Sequence, residues 1–402
     1  MCSISEGIAV TTVDNTLQER RKLIVTQRPS ENRLAAVSKI FRRFLLSDYF
    51  ILILTLVLFT VAALFFPTLS TPGNISNQLQ NMWPLLAIAL GQTFVLILGG
   101  IDLSVGSTMG ITSVVGAVLI AETLDPSFFD KSPLWGTLMR PEGGILAGQP
   151  NAVLMGVLVM LALGTFIGFL NGYAITRFNM APFMVTLVSS TFFAAFALWL
   201  TQSRNISGLP EAFINLGKGD LISVYLGPKL ESQLPRRDVL PFITSAFVIA
   251  VGLAIVAQFL LTRTVFGRQM FAIGTNRRAS EISGVPSKRV IILVYMFSGF
   301  CAAVASVLYS ARLEIGQPSL GGGNLLLDII GAAVIGGTSL FGGKGSARGT
   351  LFGVIFFVLL LNVLNAMRLS PFIIDAVKGF IILLAALIDI TRIRLINQEQ
   401  RA

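Results

Sequence analysis

The chain contains no histidine and only two cysteines, Cys2 and Cys301, among 402 residues. The commonest metal ligand and the commonest general base are therefore both absent. One cysteine lies in a polar N-terminal stretch and the other in an apolar run, so there is neither a disulfide framework nor a Cys/His metal pattern. No Ser/His/Asp set can be assembled. The one glycine-rich stretch with a lysine, FGGKGSARG at 341–349, fails as a phosphate loop. Lys344 is followed by Gly345 instead of Ser or Thr, and the glycine required five residues before Gly343 is Thr338. Catalysis on this chain has almost nothing to work with, and any ATP hydrolysis must occur on another polypeptide.

Charge is also scarce. Asp, Glu, Lys and Arg make up 12% of the chain, while 54% is hydrophobic; an average soluble domain is about one quarter charged. The few charges are segregated, leaving apolar runs near the ~20 residues that cross a bilayer as helix. The alternation of a barrel strand is missing. The expected fold class is all-α: a polytopic integral membrane protein of about ten transmembrane helices across residues 49–390. A polar tail, 1–48, precedes them and a short tail, 391–402, follows. Within the first tail, 34–46 has the pattern of an amphipathic helix. The eighth span, near 325–340, is short enough to be a re-entrant or broken helix. The sixth is expected over 240–261 and the second over 82–99, after a linker at 70–80.

The sign of the charge sets the topology. Segments on one side (1–48, Arg177, 263–289, 341–349, 391–402) hold 20 basic and 7 acidic residues. Those on the other (122–150, 203–239, 312–324) hold 8 basic and 9 acidic. The positive side is cytoplasmic, so both termini are expected inside, with 122–150 and 203–239 outside. The net charge of +10 thus reads as membrane topology, with a lipid bilayer as partner and no nucleic acid.

The longest interior cytoplasmic segment, 263–289, carries helix punctuation. Asn276 can accept a bond from a free N–H of a first helical turn, Gly284 can adopt the left-handed conformation that ends a helix, and Pro286 prevents continuation. A short capped helix over 276–283 either presents a knob to a partner in the water or is a connecting loop held inside by its charge.

Inside the membrane region the sharpest motif is GGIDLS at 99–104. Asp102 or Ser104 can cap the helix that follows. The break is then either a broken helix whose freed groups line a polar pathway, or a plain cap at the cytoplasmic surface. Gln92, Asn171, Asn362 and Asn365 are further polar groups within spans and, with Asp102 and Ser104, form a candidate pathway set. Asp328, Asp375 and Lys378 are ionisable, and the last two are spaced to pair on a helix. Gly156, Gly164, Gly168 and Gly172 share a helix face suited to close packing. A faint internal echo relates Gly99-Gly100, Leu103 and Gly106-Ser107 to Gly336-Gly337, Leu340 and Gly345-Ser346.

Three motifs in order, GGIDLSVGS, FGRQMFAIGTNRRASEISGV and DIIGAAVIGGTSLFGGKGSARGTLFG, resemble the permease subunits of bacterial ABC importers for monosaccharides, in particular the ribose/xylose/arabinose-type permeases. The resemblance runs from about residue 49 to 390. It implies a second permease copy as partner in a homodimer, cytoplasmic ABC ATPase subunits that carry ATP and Mg, and a periplasmic sugar-binding protein. No cofactor or metal is expected on this chain. The coupling segment of the family maps onto 267–284. Gly267, Arg268, Gly274, Asn276, Arg277, Arg278, Ala279, Glu281, Ile282 and Gly284 become ATPase-coupling candidates, with Arg277, Arg278 and Glu281 as charge contacts and Ala279 and Ile282 as packing contacts. The implied function is import of a neutral monosaccharide or polyol, with the transporter not itself an enzyme. The alternative is an ion-coupled secondary sugar transporter using Asp102, Asp328 or Asp375.

Overall fold

The computed structural model describes residues 49–225 and 239–399. Two compact units divide at residue 50. The first lies almost wholly outside the described residues, as does the amphipathic stretch expected at 34–46. The second holds the architecture.

Fourteen helices follow in order among the described residues: α1 (Phe50–Phe65), α2 (Pro72–Ile97), α3 (Val105–Ile120), α4 (Pro126–Phe129), α5 (Ala152–Arg177), α6 (Pro182–Leu200), α7 (Glu211–Lys218), α8 (Ser245–Arg263), α9 (Val265–Thr275), α10 (Arg277–Ile282), α11 (Ser287–Leu313), α12 (Leu325–Ile335), α13 (Ala347–Ala366) and α14 (Pro371–Glu399). Six of them, α2, α5, α6, α8, α11 and α13, are long and apolar enough to cross a bilayer; α1, α3 and α12 are shorter apolar helices.

Several expected boundaries move, for local reasons. The linker at 70–80 is mostly helix, because Pro72 sits in the first turn of α2, where its missing N–H costs nothing. The sixth span begins at Ser245 instead of 240. Residues Val239–Thr244 form a strand paired antiparallel with Asp220–Tyr225, and Thr244 then caps α8 by accepting from the Phe247 N–H at 3.1 Å. The tail expected from 391 continues α14 to Glu399. The segment 122–150 holds α4 and a two-residue hairpin, Met139–Arg140 with Gly143–Gly144. There Asp125 accepts from the N–H (2.9 Å) and hydroxyl (2.7 Å) of Ser127, which holds its carboxyl below the ordinary range.

Burial does not follow hydropathy. The best window of α2 has mean hydropathy 1.3 and is 89% buried within the protein, whereas that of α5 reaches 2.5 and is only 28% buried. A helix facing lipid must be apolar all round its outer surface, while one enclosed by protein can carry amides and hydroxyls that its neighbours satisfy. α2 and α11, 72% buried, form the centre, and α5, α6 and α8 the periphery. The centre closes by glycine. A Cβ at Gly164 would stand 2.5 Å from the Gly299 carbonyl oxygen, and one at Gly168 would stand 2.1 Å from that of Tyr295. Of the glycine face expected on α5, Gly164, Gly168 and Gly172 pack against α11, while Gly156 faces the Ile120 side chain of α3.

Candidate functional site

Local signals build α9 and α10 as one bent unit. Thr264 starts α9 by accepting from the Gly267 N–H at 3.1 Å. Asn276 ends it and caps α10, its Oδ1 accepting from the Ala279 N–H at 3.0 Å. Gly284 closes the unit at φ +83°, and Pro286 stands at the start of α11. The helix expected over 276–283 is thus Arg277–Ile282 with its two caps.

The ten coupling candidates divide into two sets. Arg268, Asn276, Arg278, Ala279, Glu281, Ile282 and Gly284 are exposed, and Arg277 is half-buried. Ile282, at 81% exposure, is the most open of them among the large apolar side chains. Arg277 donates from Nε to Glu281 at 3.0 Å, so these two charges first satisfy each other across one helical turn. Gly267 and Gly274 face the other way. A Cβ at Gly267 would meet the carbonyls of Leu260 and Leu261, at 2.4 and 2.3 Å, and one at Gly274 would lie 1.8 Å from the Ile97 carbonyl oxygen.

The break after α2 departs from expectation. Ser104 occupies the N-cap position of α3 but makes no side-chain capping bond. Asp102 bonds sideways instead. Its Oδ1 accepts from the N–H (2.9 Å) and hydroxyl (2.6 Å) of Ser104, and its Oδ2 accepts from the Ser298 hydroxyl at 2.9 Å. The Asn171 amide donates to the Ser104 hydroxyl at 2.8 Å. Gln92, with its amide oriented to be satisfied, donates to the Asp102 carbonyl (3.2 Å) and accepts from its N–H (3.3 Å). Four of the six pathway candidates are therefore one buried network joining α2, α3, α5 and α11. None of its hydrogen bonds reaches Asn362 or Asn365, which lie on α13. Nor is this a surface cap. Ser298 is eleven residues along α11 from Ser287, about 16 Å at ~1.5 Å per residue, so Asp102 sits near the middle of that helix.

The second break, 336–346, follows α12, which has only eleven residues. Its capping is conventional, with Ser346 accepting from the Gly349 N–H at 3.0 Å. At the other end of α12, Asp328 meets Lys378 at 3.0 Å; Lys378 also meets Asp375 at 3.4 Å, and Asp375 accepts from the Asn324 amide. The expected Asp375–Lys378 pair is thus part of a larger bridge between α12 and α14. Sequence reasoning missed a further cluster, Arg312 of α11 with Asn77 and Asn81 of α2. The two asparagines are four residues apart, one helical turn, which is the signal that marks them as a pair.

The family model described as the branched-chain amino acid transport system / permease component matches residues 74–386. The chain belongs to this permease family. The permease is 33% identical over 335 residues to the ribose import permease protein RbsC of Bacillus subtilis, covering 83% of this chain and 89% of that one. It is 32% identical to RbsC of Escherichia coli (84% and 92% covered) and 29% identical to the L-arabinose ABC transporter permease protein AraH of Azospirillum brasilense (84% and 86%). No solved structure matches it. The permease is accordingly identified with the monosaccharide ABC importer group, as a multi-pass protein of the bacterial inner membrane. Its family is one of transporter subunits, not enzymes.

Proposed function

We propose that this permease imports a neutral monosaccharide or polyol, released to it by a periplasmic binding protein and driven by ATP hydrolysis on separate cytoplasmic subunits. The observation that carries the reading is the outward face of α9 and α10. A six-residue helix capped at both ends holds Ile282 and Ala279 clear of the protein, with Arg278 and Arg268 beside them. In this reading α10 docks in a cleft of the ATPase, and closure of the ATPases on ATP moves it. The topology that goes with it has ten membrane elements, both termini and 263–289 in the cytoplasm, and 122–150 and 203–239 facing the binding protein. The α12 element is a half-length one. A second copy of the chain completes the translocation pathway.

The low charge of the spans supports a neutral cargo, since a charged one needs a desolvated counter-charge in the membrane. The names of the sugar permease relatives point the same way. The decisive experiment is reconstitution in proteoliposomes with the cognate ATPase and binding protein, measuring ATP-dependent uptake across a panel of pentoses, hexoses, polyols and branched-chain amino acids. Uptake of a sugar or polyol that requires the ATPase is the expected result. Uptake of an amino acid alone would overturn the cargo class. Ion-driven sugar uptake by this chain without an ATPase would establish the alternative, a secondary transporter using Asp102, Asp328 or Asp375.

A further inference from the structure

The two breaks that echo each other in sequence meet each other in space, and they meet at Gly274. The Gly343 N–H donates to the Ile97 carbonyl at 2.9 Å, tying the second break directly to the end of α2. Gly274, one residue from the end of α9, is set against both. Its hypothetical Cβ would lie 1.8 Å from the Ile97 oxygen and 2.7 Å from the Gly343 nitrogen. Reciprocally, a Cβ on Gly342 (φ +87°) would stand 2.7 Å from the Gly274 oxygen and 3.0 Å from the Gly99 nitrogen, and one on Gly343 (φ +74°) would be 2.7 Å from the Thr275 hydroxyl. Three backbone segments from three distant parts of the chain thus touch almost wholly through backbone, with the Thr275 hydroxyl as the side-chain group at the contact. Such a junction has little side-chain freedom to absorb a displacement, so a shift of one segment is a shift of all three.

What lies beyond the junction gives it a use. The first break leads within three residues of Gly99 to Asp102 and its network at mid-depth, from which α3 starts. The second leads back through Gly336, whose hypothetical Cβ would stand 2.3 Å from the Gly349 carbonyl oxygen, to the half-length α12, and forward to α13. On the other side, α9 is continuous with α10 through the shared cap at Asn276.

We infer that Gly274 is the positioning residue of a three-way joint that transmits movement of α10 simultaneously to the breaks at 98–104 and 336–346, and so to α3 and α12. The inference rests on the proposed role of α10. The rival route bypasses the joint and runs straight from α10 into α11.

Hydrogen exchange on the assembled transporter, permease with a hydrolysis-deficient ATPase, without and with ATP and Mg, separates the possibilities. The joint predicts that exchange at 277–282 slows on ATP locking and that exchange at 98–104 and 336–346 changes with it, by at least fivefold. A change confined to 265–289 and α11 overturns the joint while leaving the docking role of α10 intact. No change at 277–282 overturns the docking role and the joint together. In a second measurement, Gly274→Ala is expected to lower cargo imported per ATP hydrolysed at least tenfold, and a wild-type ratio would refute the inference. Should that variant not reach the membrane, exchange in the wild-type assembly decides alone.

Discussion

Asp102 is a carboxylate that accepts three hydrogen bonds deep in a helical bundle, and the donors define what a substitution costs. Alanine leaves the Ser104 N–H, which cannot rotate, without an acceptor, a loss of about 1–3 kcal/mol for a buried donor. Asparagine keeps one oxygen for Ser104, and its amide can donate to the Ser298 hydroxyl, which is free to turn. Asp102→Ala is therefore expected to lower the thermal unfolding temperature of the purified permease clearly more than Asp102→Asn. Equal, wild-type unfolding in both would show the network to be dispensable. At the other end of the molecule Gly284 has a positive φ with open space around it. Gly284→Val meets no neighbour and acts only by refusing the left-handed turn. It should reduce cargo-stimulated ATP hydrolysis while leaving the amount of permease in the membrane near normal. Full stimulation would sever the link between the shape of α10 and its role.

At the scale of elements, glycines with the same composition have opposite roles. Gly168 of α5 is pressed on the Tyr295 carbonyl, whereas Gly252 of α8 has nothing within 4 Å of a would-be Cβ. Gly168→Ala should destabilise strongly. Gly252→Ala should be neutral or stabilise by up to about 1 kcal/mol, the intrinsic helix preference for alanine. Melting curves of the two in detergent check this, and a similar shift in both would refute the packing account. The α12–α14 bridge makes a separate prediction. Lys378 is 8% exposed between Asp328 and Asp375. Removing it alone, as Lys378→Met, strands the largely enclosed Asp328 carboxylate and should cost about 1–3 kcal/mol. Adding Asp328→Leu should recover much of that loss; a double variant no better than the single would rule out the pairing as the cause.

The sequence made α10 legible because its signals are local. Asn276, Gly284 and Pro286 act within a turn of the helix they delimit, and each stands where its chemistry implies. The glycine face of α5 was readable for the same reason, as a period. What could not be read is what lies opposite. Nothing near GGIDLS announces Ser298 or Asn171, and the inference of a helix cap misses that one carboxylate oxygen is held locally by Ser104 while the other is taken by Ser298 across the bundle. The break at 239–244 was hidden in a similar way, since LPFIT is as apolar as the helix it precedes and only its partner strand at 220–225 distinguishes it.

For the whole molecule, sidedness is the quantity to measure. With Cys2 and Cys301 replaced by serine, single cysteines at the exposed positions Phe128 and Ile282 test whether the two lie on opposite faces of the membrane, as the proposed topology requires. A membrane-impermeant maleimide applied to spheroplasts should label Phe128→Cys at once and Ile282→Cys only after the membrane is opened. The reverse pattern would invert the topology drawn from the basic residues.

The central place of α2 also constrains how the permease is made. Its sixteen buried residues, 82–97, are covered largely by partners that lie far downstream, and Ser287, where α11 begins, lies 190 positions after Ile97. During synthesis α2 emerges long before α11, with a weakly apolar surface turned toward lipid that suits it poorly. A nascent chain released before α11 has been made has no stable home for its own core. The insertion machinery must shelter α2 until the second half arrives, and truncated translation products ending between 98 and 286 should be the ones that membrane quality control removes fastest.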